Sequence, residues 1–136
     1  YGKNMAKNPI NESGKKGEDI FATELRKNNL AYKQSKSGQE AIDFIINPNG
    51  KKEDRVYIDV KHQHKSGGRD LAVAGCVWKY QKKYGFKECY IVEGPYDFDE
   101  DVRELANKFA KTHFVKVKEM IDILLGVEVE DGQFFG

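Results

Sequence analysis

A chain of 136 residues with 39% apolar and 33% charged positions is a single globular domain by length, with room for one core and one active site. No uninterrupted apolar run approaches the ~20 residues that span a bilayer, which argues against a membrane role. The net charge of +1 conceals an asymmetry, because residues 1–92 carry 18 Lys and Arg against 11 Asp and Glu while residues 93–136 carry 5 against 11.

Residues 1–14 are polar, with Asn4, Asn8, Pro9, Asn11 and Gly14, and read as a flexible leader to one domain over residues 15–136. A first helix is expected over residues 16–29, with Ile20, Phe21, Leu25 and Leu30 on one stripe. Glu18 sits in its first turn, where the helix dipole favours an acid. Residues 31–35 read as a short strand, and Ser37-Gly38-Gln39 turns the chain into a second over residues 41–46, closed by Asn47-Pro48-Asn49-Gly50. The third strand is Val56-Tyr57-Ile58-Asp59-Val60-Lys61. A polar, basic loop follows, and then a helix over residues 71–84 with Val73, Val77 and Tyr80 inward and Gly85 as its stop. A strand over residues 89–92 ends at Gly94-Pro95. An acidic helix over residues 99–111 carries Val102, Leu105, Ala106 and Phe109 inward, and a strand over 113–117 and a helix over 118–125 complete the order αβββαβαβα. That order predicts an α/β fold with a central mixed β-sheet flanked by helices.

Cys76 and Cys89 lack CxxC spacing and read as core thiols rather than a zinc pair or disulfide. Tyr1 stands where an initiator Met would, and no signal-peptide pattern follows, so the chain reads as a piece of a longer protein acting in a cytoplasm.

Within the third strand, Asp59 and Lys61 stand two residues apart and project to the same face. Burying that pair is costly unless each charge has a task. Asp43 interrupts the preceding apolar strand in the same way. Two acids and a lysine at adjacent strand ends suit a divalent cation with a general base or charge stabiliser beside it. Gln63 shares the face of Asp59 and Lys61 by alternation, whereas His62 points away. His62 and His64 have H-x-H spacing, but no cysteine or third histidine lies near enough in sequence to complete a zinc set. Lys65 and Arg69, flanking Gly67-Gly68, are natural phosphate contacts, and Lys79, Lys82 and Lys83 on the next helix read as a solvated face available to DNA. Trp78 and Tyr80 read as core or interface rather than as base-stacking groups. Asp97, Asp99, Glu100 and Asp101 read as capping and solvation of the next helix rather than as a metal cluster.

Gly17-Glu18 on the first helix, Ile42-Asp43 on the second strand and Ile58-Asp59-Val60-Lys61 on the third together resemble the PD-(D/E)xK nuclease superfamily. Ile42 stands where the motif has Pro, a position at which that Pro is often absent. The resemblance covers residues 15–93 and implies a restriction-endonuclease-like αβββαβ core, with residues 94–136 as a C-terminal αβα extension. It implies that Asp43, Asp59 and the carbonyl of Val60 hold Mg²⁺ or Mn²⁺, with Glu18 binding directly or through water. Lys61 would orient or deprotonate the attacking water and offset charge on the phosphorane, and Gln63 would contact the scissile phosphate or a base. Gln81-Lys82-Lys83-Tyr84 is similar to the Q-x-x-Y of exonucleases related to the RecB nuclease domain, a match of few residues.

The expected activity is therefore metal-dependent hydrolysis of phosphodiester bonds, with DNA favoured over RNA, endonucleolytic cleavage favoured, and a homodimer as a natural way to cut two strands. Two other classes share the pattern. One is a toxin domain of a secreted effector that cleaves DNA or tRNA in a target cell's cytoplasm and is held in check by an immunity protein. The other is a nuclease-like module that binds nucleic acid without cutting it.

Overall fold

The computed structural model describes residues 9–36, 38–62 and 71–126, with side chains from Lys16 onward in the first helix. Four helices and five strands follow in the expected order. They are α1 (Pro9–Lys27), β1 (Tyr32–Gln34), β2 (Phe44–Ile46), β3 (Val56–Lys61), α2 (Ala72–Tyr84), β4 (Glu88–Glu93), α3 (Glu100–Asn107), β5 (Lys111–Val115) and α4 (Val117–Leu125), with a 3-10 turn at Lys52–Asp54. No helix among the described residues is long and apolar enough to cross a membrane.

The strands form one mixed sheet in the order β1-β2-β3-β4-β5. The first three pair antiparallel, and β3, β4 and β5 run parallel. Antiparallel neighbours need only a turn, here built on Asn47 at φ 55°, a left-handed conformation that Asn tolerates. Parallel neighbours need a crossover, and α2 and α3 supply the two. Side-chain alternation then sorts the core onto the two faces of the sheet. Ile58, Val60, Val92 and Val115 pack with Phe21, Leu25, Met120 and Ile121 of α1 and α4. Tyr57, Cys89 and Ile91 pack with Val73, Val77, Tyr80, Val102 and Ala106 of α2 and α3.

Several expectations are corrected. Helix α1 begins at Pro9, so residues 9–14, expected in the leader, are helical, and residues 1–8 lie outside the described part. Proline suits the first turn of a helix, where its missing N–H has no partner to lose. Ile20 is 44% exposed and stands off the α1 stripe. Helix α3 stops at Asn107, four residues early, because the Asn107 side chain turns back onto the backbone of Thr112, donating to its carbonyl at 3.3 Å and accepting its N–H at 2.9 Å. Phe109 is thereby left 38% exposed instead of inward, and β5 starts two residues sooner than the pattern suggested. The residues expected as an extension place β5 on the edge of the same sheet.

Candidate active site

Register brings the two acids together. Phe44 pairs with Ile58, and the antiparallel ladder continued by one residue sets Asp43 opposite Asp59. Asp43 stands just outside β2, its backbone N–H donating to Asp59 Oδ1 at 3.0 Å, while Val60 N–H donates to Asp43 Oδ2 at 2.8 Å. Each carboxylate therefore caps the other's strand. Asp59 is 3% exposed and its Oδ2 has no hydrogen-bond partner among the described residues. The Lys61 ammonium, 3.3 Å from that oxygen, pairs with it by charge.

The other buried acid on this face shows how a structural carboxylate is treated. Glu93 on β4 accepts the Phe98 N–H at 2.9 Å and Arg103 Nη2 at 2.8 Å, and Lys116 lies 3.4 Å from its second oxygen. Both of its oxygens have partners. Asp59 is as deeply buried and is held by fewer groups among the described residues, the Asp43 N–H on Oδ1 and the Lys61 ammonium beside Oδ2, an arrangement that costs stability on its own.

Titration follows from this crowding. Burial, and then the charge of Asp59, push the Asp43 carboxyl up to about 8. Burial alone would lower the Lys61 ammonium, but Asp59, Cys76 and Asp43 outweigh it and hold its pKa above the ordinary lysine value. Glu18 is half-buried on α1, and its pKa is raised by burial, against a hydrogen bond with Gln34 that lowers it, with Asp59 adding to the rise. Burial and the neighbouring Asp59 push Tyr80 up to about 12. Glu18 thus lies in electrostatic reach of the pair. It does not join a ligand set, since no group of three or more His, Cys, Asp or Glu side chains converges as a metal site among the described residues.

Other expected site residues divide. Val60 contributes its N–H, and its side chain is buried on the α1 face. Gln63, Lys65 and Arg69 lie outside the described residues. On α2, Lys79 pairs with Glu40 at 3.0 Å, Lys83 donates to the Glu40 carbonyl, and Lys82 lies over the Trp78 ring. The Q-x-x-Y residues are structural, Gln81 donating to the Phe86 carbonyl and Tyr84 Oη accepting the Ile42 N–H. Gln34, Cys76 and Tyr80 were missed as neighbours of the site. The spacing of Cys76 and Tyr80, one helical turn apart on α2, was a signal that could have found the latter two.

No family model, curated protein or solved structure matches this chain. The site therefore stands on its own geometry.

His62 points away from Lys61, as alternation predicts, and its ring lies between two glycines. A Cβ on Gly17 would come within 2.6 Å of the imidazole and one on Gly94 within 2.8 Å. Helix α1, the end of β3 and the end of β4 meet at this ring, next to Glu18 and Lys61. Gly94→Ala is expected to cost about 1–3 kcal/mol by overpacking, measured by urea unfolding, and His62→Ala should remove most of that penalty. An equal cost on both backgrounds would show that the imidazole is not the obstruction.

Two surface clefts among the described residues are lined by residues other than Asp59. One, of about 420 Å³, is lined by Lys52, Arg55, Tyr57 and Lys87 at the opposite end of β3. Another, lined by Ser35, Gln39, Glu40, Ile42 and Lys83, flanks the approach to Asp43.

Proposed function

We propose that this chain is a metal-dependent nuclease that hydrolyses phosphodiester bonds, cutting internally and favouring DNA over RNA, on the restriction-endonuclease-like plan of the PD-(D/E)xK superfamily. The observation that carries the reading is the buried Asp59 carboxylate, which accepts the Asp43 N–H on Oδ1 and meets the Lys61 ammonium at 3.3 Å with an Oδ2 that makes no hydrogen bond among the described residues. The element order, with α1 and α2 on opposite faces of the sheet and the two acids on paired strands, supports it further.

The donor set fits a hard divalent cation. Mg²⁺ takes one or two carboxylates and retains its remaining waters, so Asp43 and Asp59 suffice without a third acid, and Mn²⁺ accepts the same oxygens. Asp43 and Asp59 would hold the ion with the carbonyl of Val60, and Glu18 would act through water. When bound, the ion supplies Lewis-acid polarisation of the phosphate and acidifies water. Asp43 and Asp59 are fixed for that role by the backbone N–H groups they accept. Lys61 remains a cation and offsets the negative charge that grows on the phosphoryl oxygens in the transition state. A lysine with a raised pKa is a poor general base, so the charge-stabilising role is the one assigned to it.

Incubation with supercoiled plasmid, linear duplex, single strands and total tRNA, each with Mg²⁺, Mn²⁺ or EDTA, tests the proposal. Cleavage should need the divalent ion and should convert supercoiled plasmid without free ends. Absence of metal-dependent cleavage on all four substrates would sink it.

A further inference from the structure

Helix α2 has a second face that neither the core nor the Asp43–Asp59 pair uses. Its thirteen residues include Lys79, Lys82 and Lys83 and no acid. At 100° per residue, Leu71, Gly75, Trp78 and Lys82 fall on one outward stripe. Leu71 is 44% and Trp78 48% exposed, and nothing lies within 4 Å of a Cβ built on Gly75. The Lys82 ammonium lies 5.1 Å from the centre of the Trp78 ring. Of the two places expected for Trp78, core or interface, the core is thus overturned, while Tyr80, two residues on, is buried.

Lys79 and Lys83 lie between this stripe and the edge of the helix that carries Cys76, which is within electrostatic reach of Lys61. Both lysines touch Glu40, through an exposed ion pair and a carbonyl respectively. Exposed pairs of this kind are weak and yield to phosphate. A large aromatic plane set among cations, with a glycine beside it to admit a close approach, is complementary to a polyanion that also presents flat π faces. Duplex nucleic acid hides those faces, whereas unpaired strands offer them.

We propose that the outer face of α2 is a binding platform for unpaired nucleic-acid bases, with Trp78 as the stacking surface and Lys79, Lys82 and Lys83 as phosphate contacts. The proposal rests on the nuclease reading for its substrate and extends it to single-stranded or locally opened segments. Trp78 is the only tryptophan in the chain, so its emission reports on the platform directly.

The test titrates the full chain, in EDTA to prevent cleavage, with oligothymidylate, a blunt duplex of equal length, and heparin as a polyanion without bases. Single strands should quench Trp78 saturably and more strongly than duplex, and heparin should bind without quenching. Trp78→Ala should weaken single-strand binding about tenfold, measured by anisotropy of a labelled strand, and Trp78→Phe should retain most of the affinity. Equal quenching by duplex or heparin would assign the response to charge and overturn stacking. A blue shift of Trp78 with protein concentration alone would show that a second copy covers the face, which also overturns it. The two readings fail separately. Cleavage without quenching removes the platform alone, whereas quenching that persists in Asp59→Asn, with no cleavage by the parent chain, upholds the platform and removes the nuclease.

Discussion

Asp43→Asn should make the metal-free protein more stable at neutral and alkaline pH while removing its metal-dependent cleavage. Burial and Asp59 raise the Asp43 carboxyl from an ordinary 3.8 to about 8. Between those values the native state holds a proton that the unfolded chain has released. Stability therefore falls as pH rises across that window, by up to about 1.4 kcal/mol per pH unit from this group. Asparagine presents an amide oxygen to the same Val60 N–H and does not ionise, so its stability should not follow that slope. Urea unfolding in EDTA at pH 5, 7 and 9 measures the difference. The variant should gain on the parent chain at each step, and a parent chain most stable at pH 9 would refute the assignment. Mg²⁺ or Mn²⁺ should reverse the slope in the parent alone, because a cation binds the deprotonated pair and stabilises the state that holds it. Cleavage by the variant should fall at least about a hundredfold, the scale on which preorganised electrostatic groups act.

The opposed effects explain why this corner of the molecule was readable from sequence. Asp43 and Asp59 each break an apolar strand, a local violation of the pattern that the rest of β2 and β3 obeys, and such violations concentrate where a protein trades stability for chemistry. Gly85 was legible as the end of α2 because it takes φ 72°, which a side chain would resist. What escaped depends on partners distant along the chain. The end of α3 is set by the Asn107 side chain reaching Thr112, and helical periodicity carries no trace of that bond. Ile20 and Phe109 fit apolar stripes by spacing, yet both stay substantially exposed. Core and interface both stood open for Trp78 in the sequence, because its exposure is decided by which side of α2 meets the sheet. Gln34 could be placed beside Glu18 only once β1 had been laid along the sheet edge. The ionisation of Lys61 was likewise open in the sequence, where a lysine next to two acids can serve as base or as cation. The charges of Asp59, Cys76 and Asp43 decide it against the opposing effect of burial, and that balance is a three-dimensional quantity.

Lys61→Arg should retain a measurable part of the cleavage, whereas Lys61→Gln should lose at least about a hundredfold. The ranking separates two mechanisms. If Lys61 removed a proton from water, arginine, which keeps its proton throughout the accessible range, would be as inactive as glutamine. If Lys61 acts as a fixed cation, 3.3 Å from Asp59 Oδ2 and directed at the developing phosphoryl charge, guanidinium preserves the sign and part of the geometry. Stability should rank in the same order without metal. Glutamine leaves the buried Asp59 without its counter-charge, and the loss is smaller than for a fully buried pair because Lys61 keeps 31% of its side chain in contact with solvent. Added Mg²⁺ should restore the stability of Lys61→Gln but not its rate, since the cation can replace the lysine as a partner for Asp59 while the phosphoryl oxygens still lack theirs. Single-turnover cleavage with saturating metal, beside unfolding curves with and without it, measures both. Equal rates for the arginine and glutamine variants would return Lys61 to the role of base.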